Sequence, residues 1–452
     1  MKRYHARWVC PVSSAPLKNG TLVEEDGRIA YIGPRAAAPA GEDIELGDAI
    51  VIPGLVNTHC HLELTAMRGF LDGLGFREWI VRLTRARRAV LTPEMLLDAA
   101  RLGVDEGLLH GITTFADTGD TGTGFDAMLE RGARGICYRE VFGPDPAQCE
   151  AAISELQLRV AEMGTRATNL VRVGVSPHAP YTVSDPLYRA TVALARDQSL
   201  PIAVHIAESA LETDLVVRGE GEFAGALKAR GIAVAPRATS PIALMEDVGV
   251  LGLHALLIHC VRVSEEDVAK IASHDCAVAH CPASNARLGH GIAPLARFLR
   301  AGIRTGLGTD SVASNDRMDL LDEARLASLF ANANDATHDA VSATMVLDLA
   351  TRGGARALGI DNETGSLDVG KSADFAAFPC PPHRAPVHDP IAALVLAMPG
   401  TRASFVAVAG RALVRRGALV QHDEGLAQRV QDTADRLQDW LAASLVGAES
   451  LP

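Results

Sequence analysis

The apolar positions of the chain are grouped into eight β-rich runs, and helical patterns of apolar residues separate these runs. The runs are residues 50–61, 111–117, 134–141, 170–178, 201–208, 255–260, 276–282 and 303–310. Eight strand-helix units over about 310 residues predict a (β/α)8 barrel rather than an open doubly wound sheet. A dinucleotide-binding sheet would carry G-x-G-x-x-G after its first strand, and the sequence has no such motif there.

Both ends of the chain show a different pattern, with short alternating strands and turn signals. Residues 1–52 contain several such stretches, and the Asp-Gly pair at 26 and 27 is a hairpin signal. Residues 363–424 return to the same pattern. We therefore expect the two ends to form one small, sandwich-like β-domain beside a barrel of residues 53–362.

The last segment, residues 425–452, carries apolar residues at helical spacing. They are Leu426, Val430, Leu437, Leu441 and Leu445. This pattern predicts an amphipathic helix that packs against the protein's own body. A homodimer contact through the same face is the alternative.

Composition and charge exclude some partners. The 452 residues include 43 Lys and Arg against 55 Asp and Glu, a formal net charge of −12. Because nucleic-acid binding relies on clustered cations, we expect neither nucleic acid nor a membrane surface as a partner. The N-terminus lacks the apolar core of a signal peptide, so we expect a cytoplasmic protein. Eight cysteines without a C-x-x-C pair argue against a disulfide scaffold and against a thiolate zinc site.

Most of the apolar runs end in a His, Glu or Asp directly before the next loop. The residues are His59, His61, Asp117, His178, His205, Glu208, His259, His280 and Asp310. A single such histidine would more often be a core residue bonded to a backbone carbonyl. Because the loops at that end of a (β/α)8 barrel enclose the substrate, the repetition predicts a shared metal site.

An H-x-H pair ends the first run. Side chains two positions apart on a strand point the same way, so His59 and His61 face the barrel axis while Cys60 faces the surrounding helices. His205 and Asp310 are the natural third and fourth ligands. Neutral imidazoles with a carboxylate suit one divalent ion, with zinc expected and iron or manganese as alternatives.

The motifs, taken in order, resemble those of the amidohydrolase superfamily, in the branch that includes nucleoside, guanine and cytosine deaminases and triazine hydrolases. They are PGLVNTHCHLE, SPHAPYT, HIAES, HC at 259 and 260, HCPASNARLGHGIAPL, GLGTDSVASND and, for the small β-domain, GSLDVGKSADFAAF. The resemblance implies that His59, His61, His205 and Asp310 bind one divalent metal. Members with two metals usually bridge them through a carboxylated lysine after the fourth strand, and LVRVGVSPH has no lysine.

The resemblance also implies roles in a hydrolytic deamination. A bound cation makes its water acidic enough to supply hydroxide near neutral pH, and Asp310 would take or orient the proton of that water. Glu208 matches the proton shuttle that protonates the ring nitrogen and helps to expel ammonia. His259 would polarise the water or the developing oxyanion. The competing interpretations are a solvated loop carboxylate for Glu208 and a structural histidine for His259.

The resemblance also implies which residues contact the substrate. The residues that hold the substrate or shape the pocket in the family are Glu63, His178, His280, Ser284 and Asn285. Trp79, in the helix expected after the first strand, would stack on a substrate ring. The arginines of that helix form either an anion site or a solvated face. The glycine cluster at 119–124 lacks the ending of a phosphate loop and predicts a mobile loop.

Three fragments, HLELT, FREWIVRL and GTDSVASND, look most like aminofutalosine deaminases and relatives that deaminate adenosine derivatives such as S-adenosylhomocysteine. Alternatives on the same fold are deamination of guanine or cytosine, deamination or dechlorination of triazines, and hydrolysis of a cyclic amide. The compact zinc deaminases carry H-x-E followed by P-C-x-x-C; HLE at 61–63 imitates only the first half. A non-catalytic binding protein is a further alternative. We predict a metal-dependent hydrolase acting on C–N bonds of a small molecule.

Overall fold

The structure, a computed structural model, describes the backbone of residues 1–449 and the side chains of residues 1–444. The strands in this part are β1 Lys2–Val9, β2 Leu17–Glu25, β3 Arg28–Pro34, β4 Glu42–Pro53, β5 Leu55–Cys60, β6 Ile112–Gly119, β7 Arg134–Val141, β8 Val171–Pro177, β9 Ala203–Ile206, β10 Leu256–His259, β11 Ala277–His280, β12 Arg304–Leu307, β13 Phe375–Pro379, β14 Phe405–Val408, β15 Arg411–Arg415 and β16 Ala418–Leu419. The α-helices are α1 Phe76–Val90, α2 Pro93–Leu109, α3 Thr123–Arg131, α4 Cys149–Gly164, α5 Asp185–Asp197, α6 Ala210–Thr213, α7 Gly221–Ala229, α8 Pro241–Asp247, α9 Glu265–Ser273, α10 Pro282–Arg287, α11 Leu295–Arg300, α12 Val312–Asn315, α13 Leu320–Asn334, α14 Ala343–Asp348, α15 Gly354–Ala357, α16 Pro390–Ala392 and α17 Leu426–Glu449.

Eight parallel strands, β5 to β12, form a closed barrel. The strands β5 to β8 pair in chain order, and so do β9 to β12. Parallel bridges between Val175 and Ile202 and between Cys60 and Asp310 join these two halves. Small and branched residues fill the interior, among them Val56, Ala116, Ile136, Ala203, Ile258 and Ala279. The predicted (β/α)8 barrel is confirmed. Because its interior is packed with side chains, a site is expected at the C-terminal ends of the strands, where the βα loops begin.

Strands from both ends of the chain share one eight-stranded sheet, in the order β16-β15-β14-β13-β4-β1-β2-β3. The strands β4 and β13 join the two halves as antiparallel neighbours. The β2–β3 hairpin turns at Asp26 and Gly27, which have φ angles of 49° and 78°. A two-residue turn with positive φ at both positions favours Asp-Gly. The predicted second β-domain is therefore present.

The first apolar run contains the junction between the sheet and the barrel. The strand β4 ends at Pro53 and β5 begins at Leu55, with Gly54 between them. A Cβ atom at Gly54 would lie 2.1 Å from Thr113 Oγ1 on β6. Only a residue without a Cβ atom allows this approach. The first apolar run divides into two strands at this glycine.

The C-terminal helix α17 packs against the first two helices of the barrel. Leu426 and Val430 are buried beside α2. Leu437 is fully buried in the apolar cluster that also contains Phe76 and Trp79 of α1. The described part of the apolar face is thus covered by the protein's own body, as the first of the two alternatives predicts.

Leu445, the last residue of that helical pattern, lies outside the described side chains. Among the helices within residues 1–449, none combines the length and the apolar character that crossing a bilayer requires.

We predict that Leu437→Ala lowers the free energy of unfolding by about 2 to 5 kcal/mol, because it removes a fully buried leucine and leaves a cavity between α17 and α1. Urea unfolding of the two proteins measures the change. The matched control is Gln438→Ala, which alters an exposed side chain of the same helix and should change stability by less than about 0.5 kcal/mol. Equal stability of Leu437→Ala and the wild type would contradict the docking of α17.

Candidate active site

The ends of β5, β9 and β12 bring four potential metal ligands together. His59 Nε2 lies 3.2 Å from Asp310 Oδ1, and His61 Nε2 lies 3.6 Å from the same oxygen. His205 Nε2 lies 3.3 Å from His61 Nε2. Donor atoms of His59, His61 and His205 all lie within 4.8 Å of one another. The four residues named from the sequence thus form one cluster.

The backbone around this cluster is strained. Asp310 has a φ of 57° and His259 a φ of 75°, in a region that residues other than glycine seldom occupy. The Asp310 amide donates a hydrogen bond to the His59 carbonyl at 3.0 Å. The Ser311 amide donates to Asp310 Oδ1 at 2.7 Å. A strained backbone persists only where the surrounding structure stabilises it, and such residues are found most often at functional sites.

Burial and neighbouring charged groups together determine the protonation states of the ligands. It lowers the pKa of His61 to about 3, and the neighbouring His59 adds to this effect. Burial and the nearby His178 lower the pKa of His205 well below its usual value. Burial alone would raise the pKa of Asp310, but the hydrogen bond from His59 and the nearby histidines lower it well below its usual value. Neutral imidazoles and an ionised carboxylate are the states that bind a divalent cation, so this donor set fits one.

Glu208 lies beside the ligand cluster, between two imidazoles. Its Oε1 is 3.2 Å from His290 Nε2 and 3.6 Å from His259 Nε2. Burial raises the pKa of this carboxyl, but His259 and His290 outweigh burial and lower the pKa below its usual value. The Glu208 amide donates to Glu212 Oε2 at 2.9 Å, which fixes the loop after β9. A carboxylate held in this way can take up a proton and pass it on to a bound molecule.

Ser284 and Asn285 contact other candidate residues. The Ser284 hydroxyl donates to Asp310 Oδ2 at 2.5 Å. His259 Nδ1 lies 3.0 Å from Asn285 Oδ1, and because an amide oxygen only accepts, this nitrogen carries the proton. His259 Nε2 is then directed toward Glu208. The substrate contacts predicted for Ser284 and Asn285 stay predictions, while these bonds position Asp310 and His259.

Glu63 is tied into a buried ion-pair network. Its Oε1 accepts a hydrogen bond from Arg87 Nη2 at 2.6 Å, and its Oε2 accepts one from the Thr121 hydroxyl. Arg87 also donates to Asp120. The network joins α1 to the loop after β6, which contains the glycine cluster. The substrate contact predicted for Glu63 stays a prediction, and the bonds favour a structural role.

The helix α1 occupies the region predicted from FREWIVRLTRARRAV. Trp79 is buried, and its ring lies 6.4 Å from that of Phe76 between centroids. Arg85 and Arg88 are exposed to solvent, and only Arg87 reaches the buried network. For most of these arginines the structure therefore favours the solvated face. Substrate stacking on Trp79 stays a prediction.

Four further polar residues lie at this end of the barrel. His280 is buried and His178 is partly buried, and desolvation lowers the pKa of each to about 4. Sequence reasoning did not single out His290 or Glu140. His290 is a second histidine in the motif HCPASNARLGHG, and Glu140 lies near the end of the third apolar run. The rule of a titratable residue at each strand end would have found Glu140.

Asp117 ends β6 but does not join the ligand cluster. Its Oδ1 accepts a hydrogen bond from the Leu62 amide at 2.8 Å, which holds the turn that carries His61. Burial raises the pKa of Asp117 from 3.8 to about 7. Cys60 is buried in the apolar layer between strands and helices, away from the ligands.

Residues 50–413 match the amidohydrolase family model. The chain is 33% identical over 437 residues to the 5-methylthioadenosine/S-adenosylhomocysteine deaminase of Desulforudis audaxviator, covering 95% of this chain and 97% of the relative. It is 32% identical over 423 residues to the 5'-deoxyadenosine deaminase of Methanothermobacter thermautotrophicus, covering 92% and 94%. Among solved structures, an adenosine deaminase from Xanthomonas campestris with bound zinc superposes with a TM-score of 0.87 at 26% identity, covering 97% and 98%.

We predict that Asp117→Asn makes stability less dependent on pH between pH 5 and pH 8. A carboxyl whose pKa is raised on folding stabilises the folded protein at low pH, and this contribution is lost as the pH rises through about 7. The wild type should therefore lose about 3 kcal/mol relative to the variant over this range. Asparagine still accepts the bond from the Leu62 amide, so the turn is kept.

Urea unfolding of both metal-saturated proteins at several pH values measures this difference. A difference that stays constant with pH would show that Asp117 does not titrate as described.

Proposed function

Because the chain belongs to the amidohydrolase family, we propose that it removes the exocyclic amino group of an adenosine derivative by hydrolysis. The protein is a metal-dependent hydrolase that acts on C–N bonds of a small molecule. Its relatives are named for methylthioadenosine, S-adenosylhomocysteine and 5'-deoxyadenosine, which share an adenine base on a sugar. The observation that carries the proposal is Glu208, a buried carboxylate between two imidazoles beside the ligand cluster.

We assign His59, His61, His205 and Asp310 as the ligands of one divalent metal, and we propose that the ion is zinc. Three neutral imidazoles and one carboxylate match the ligand types of zinc. The bound zinc of the Xanthomonas campestris neighbour supports this choice. When bound, such an ion supplies a nucleophile from water near neutral pH.

The side chains of this chain then move the protons. Asp310, ionised and held by Ser284, accepts the proton of the attacking water. Glu208 takes up the other proton of that water and delivers it to the ring nitrogen, and the proton held by Asp310 then passes to the departing amino group, so that water adds, the C–N bond breaks and ammonia leaves. His259, whose Nδ1 donates to Asn285, presents Nε2 as an acceptor beside Glu208, where it orients and polarises the attacking water.

Glu208 and His259 together favour ring deamination over the other reactions of this fold. Loss of chloride from a triazine and hydrolysis of a cyclic amide are the rival reactions. Aminofutalosine and a homodimeric state stay narrower predictions, which a substrate panel and light scattering test separately.

We predict that the metal-loaded enzyme releases ammonia from adenine nucleosides. The panel is adenosine, 5'-deoxyadenosine, methylthioadenosine, S-adenosylhomocysteine and aminofutalosine, with guanine, cytosine and a chlorotriazine as rival substrates. Each nucleoside should yield ammonia and the corresponding hypoxanthine product in equal amounts. Release from none of the nucleosides would overturn the proposal.

We predict that Glu208→Gln lowers kcat by on the order of 10²- to 10⁴-fold while metal content stays unchanged, because the amide removes the proton carrier and no ligand. Steady-state kinetics and elemental analysis of the same sample give both values. The control is Glu220→Gln, an exposed glutamate on the same loop region, which should behave as wild type. A Glu208→Gln enzyme with normal turnover would contradict the shuttle assignment.

We predict that His59→Ala loses the bound metal, whereas the wild type holds about one equivalent per chain. His383→Ala, which removes an exposed histidine, is the control and should retain it. Elemental analysis after dialysis against trace zinc measures both. Full metal content in His59→Ala would remove His59 from the ligand set.

A further inference from the structure

One buried carboxylate at the site has no role in the reaction described above. Glu140 lies near the end of β7, on the face of the strand that also carries Ile136 and Tyr138 of the barrel interior. Its side chain is only 7% exposed. Its Oε1 makes no hydrogen bond to any residue that the structure describes. Because an unpaired buried oxygen is unfavourable, a partner from outside the protein is expected there.

Two imidazole nitrogens face the same oxygen. His205 Nδ1 lies 3.9 Å from Glu140 Oε1, and His178 Nε2 lies 4.0 Å from it. The other nitrogen of each ring is occupied: His205 Nε2 lies against His61, and His178 Nδ1 lies 2.7 Å from Thr182 Oγ1. The separations are too long for direct hydrogen bonds, but one oxygen atom placed between the three groups can lie about 2.8 Å from each.

A hydroxyl group matches the chemistry of this position. It can both donate and accept a hydrogen bond, so it can pair with the Glu140 carboxyl and with an imidazole nitrogen at the same time. A second cation fits less well, because His205 would have to bind two ions through its two nitrogens.

The position lies across the His205 ring from the groups that transfer protons. The His205 ring separates it from the proton-transfer groups, with centroids 4.8 Å from His178 and 5.6 Å from His259. Phe142, which packs against His178 with ring centroids 4.8 Å apart, is 40% exposed, so the outer edge of this region reaches the protein surface. The sugar of an adenosine derivative carries hydroxyl groups, and we infer that one of them reaches this position when the base is held at Glu208.

We propose that Glu140 binds a ribose hydroxyl of the substrate and makes the enzyme selective for ribonucleosides. This inference rests on the proposed deamination of adenosine derivatives. A positioning role, in which Glu140 only orients His205, is the competing assignment. The two differ in their readout, because a positioning residue changes metal affinity and a hydroxyl-binding residue changes the preference between sugars.

The test compares adenosine with 2'-deoxyadenosine and 3'-deoxyadenosine in the wild type, Glu140→Gln and Glu140→Ala. We expect the wild type to prefer adenosine over at least one deoxy analogue by on the order of 10²-fold or more in kcat/KM. Glu140→Ala should lose most of this preference, mainly through a lower kcat/KM for adenosine, with unchanged metal content. Glu140→Gln keeps an acceptor oxygen and should lose less. Glu150→Gln, at an exposed glutamate of α4, is the matched control.

Two results would overturn the inference. In the first, Glu140→Ala keeps the preference of the wild type for adenosine over the deoxy analogues. In the second, Glu140→Ala loses metal but its preference between these substrates does not change. Calorimetric binding of inosine, set against 2'- and 3'-deoxyinosine, gives a second readout without turnover. If the wild type deaminates no adenine nucleoside, the proposed function fails, and weaker inosine binding by Glu140→Ala than by wild type still decides the role of Glu140.

Discussion

The hydrogen bond from the Asp310 amide to the His59 carbonyl, 3.0 Å long, is the contact on which the site depends. It closes the barrel between its first and last strands, and it also places the carboxylate of Asp310 beside the imidazole of His59. The same hydrogen bond therefore closes the barrel and brings two of the proposed metal ligands together. Because the two residues are 251 positions apart, no local segment of the chain can form the site alone.

The site groups many buried polar side chains, and further polar groups hold several of them. Ser284 holds Asp310, Asn285 holds His259, and Glu212 holds the backbone of Glu208. A buried polar group is stable only with such partners. The supporting residues come from short helices that follow the strands, so the reactive groups keep their positions at the strand ends and on the loops directly after them.

Distant parts of the chain also support this end of the barrel. The helix α17 covers α1, and Arg87 of α1 reaches the buried Glu63 directly after the metal-binding strand. The apolar contact with α17 holds the first turn of α1, and the ion pair of Arg87 holds its last turn. The C-terminal helix thus contributes to the order of the pocket without contacting the reacting groups.

The sequence by itself determined the barrel, the hairpin at residues 26 and 27, and the proximity of His59 to His61, because these follow from strand periodicity and local turn geometry. Strand ends also indicated which distant residues share one end of the barrel. Only the tertiary structure decided that Glu63 pairs with Arg87, that His290 flanks Glu208 and that Glu140 lacks a partner. These features depend on how distant strands, helices and loops come together at the barrel end, and neither periodicity nor spacing encodes that arrangement.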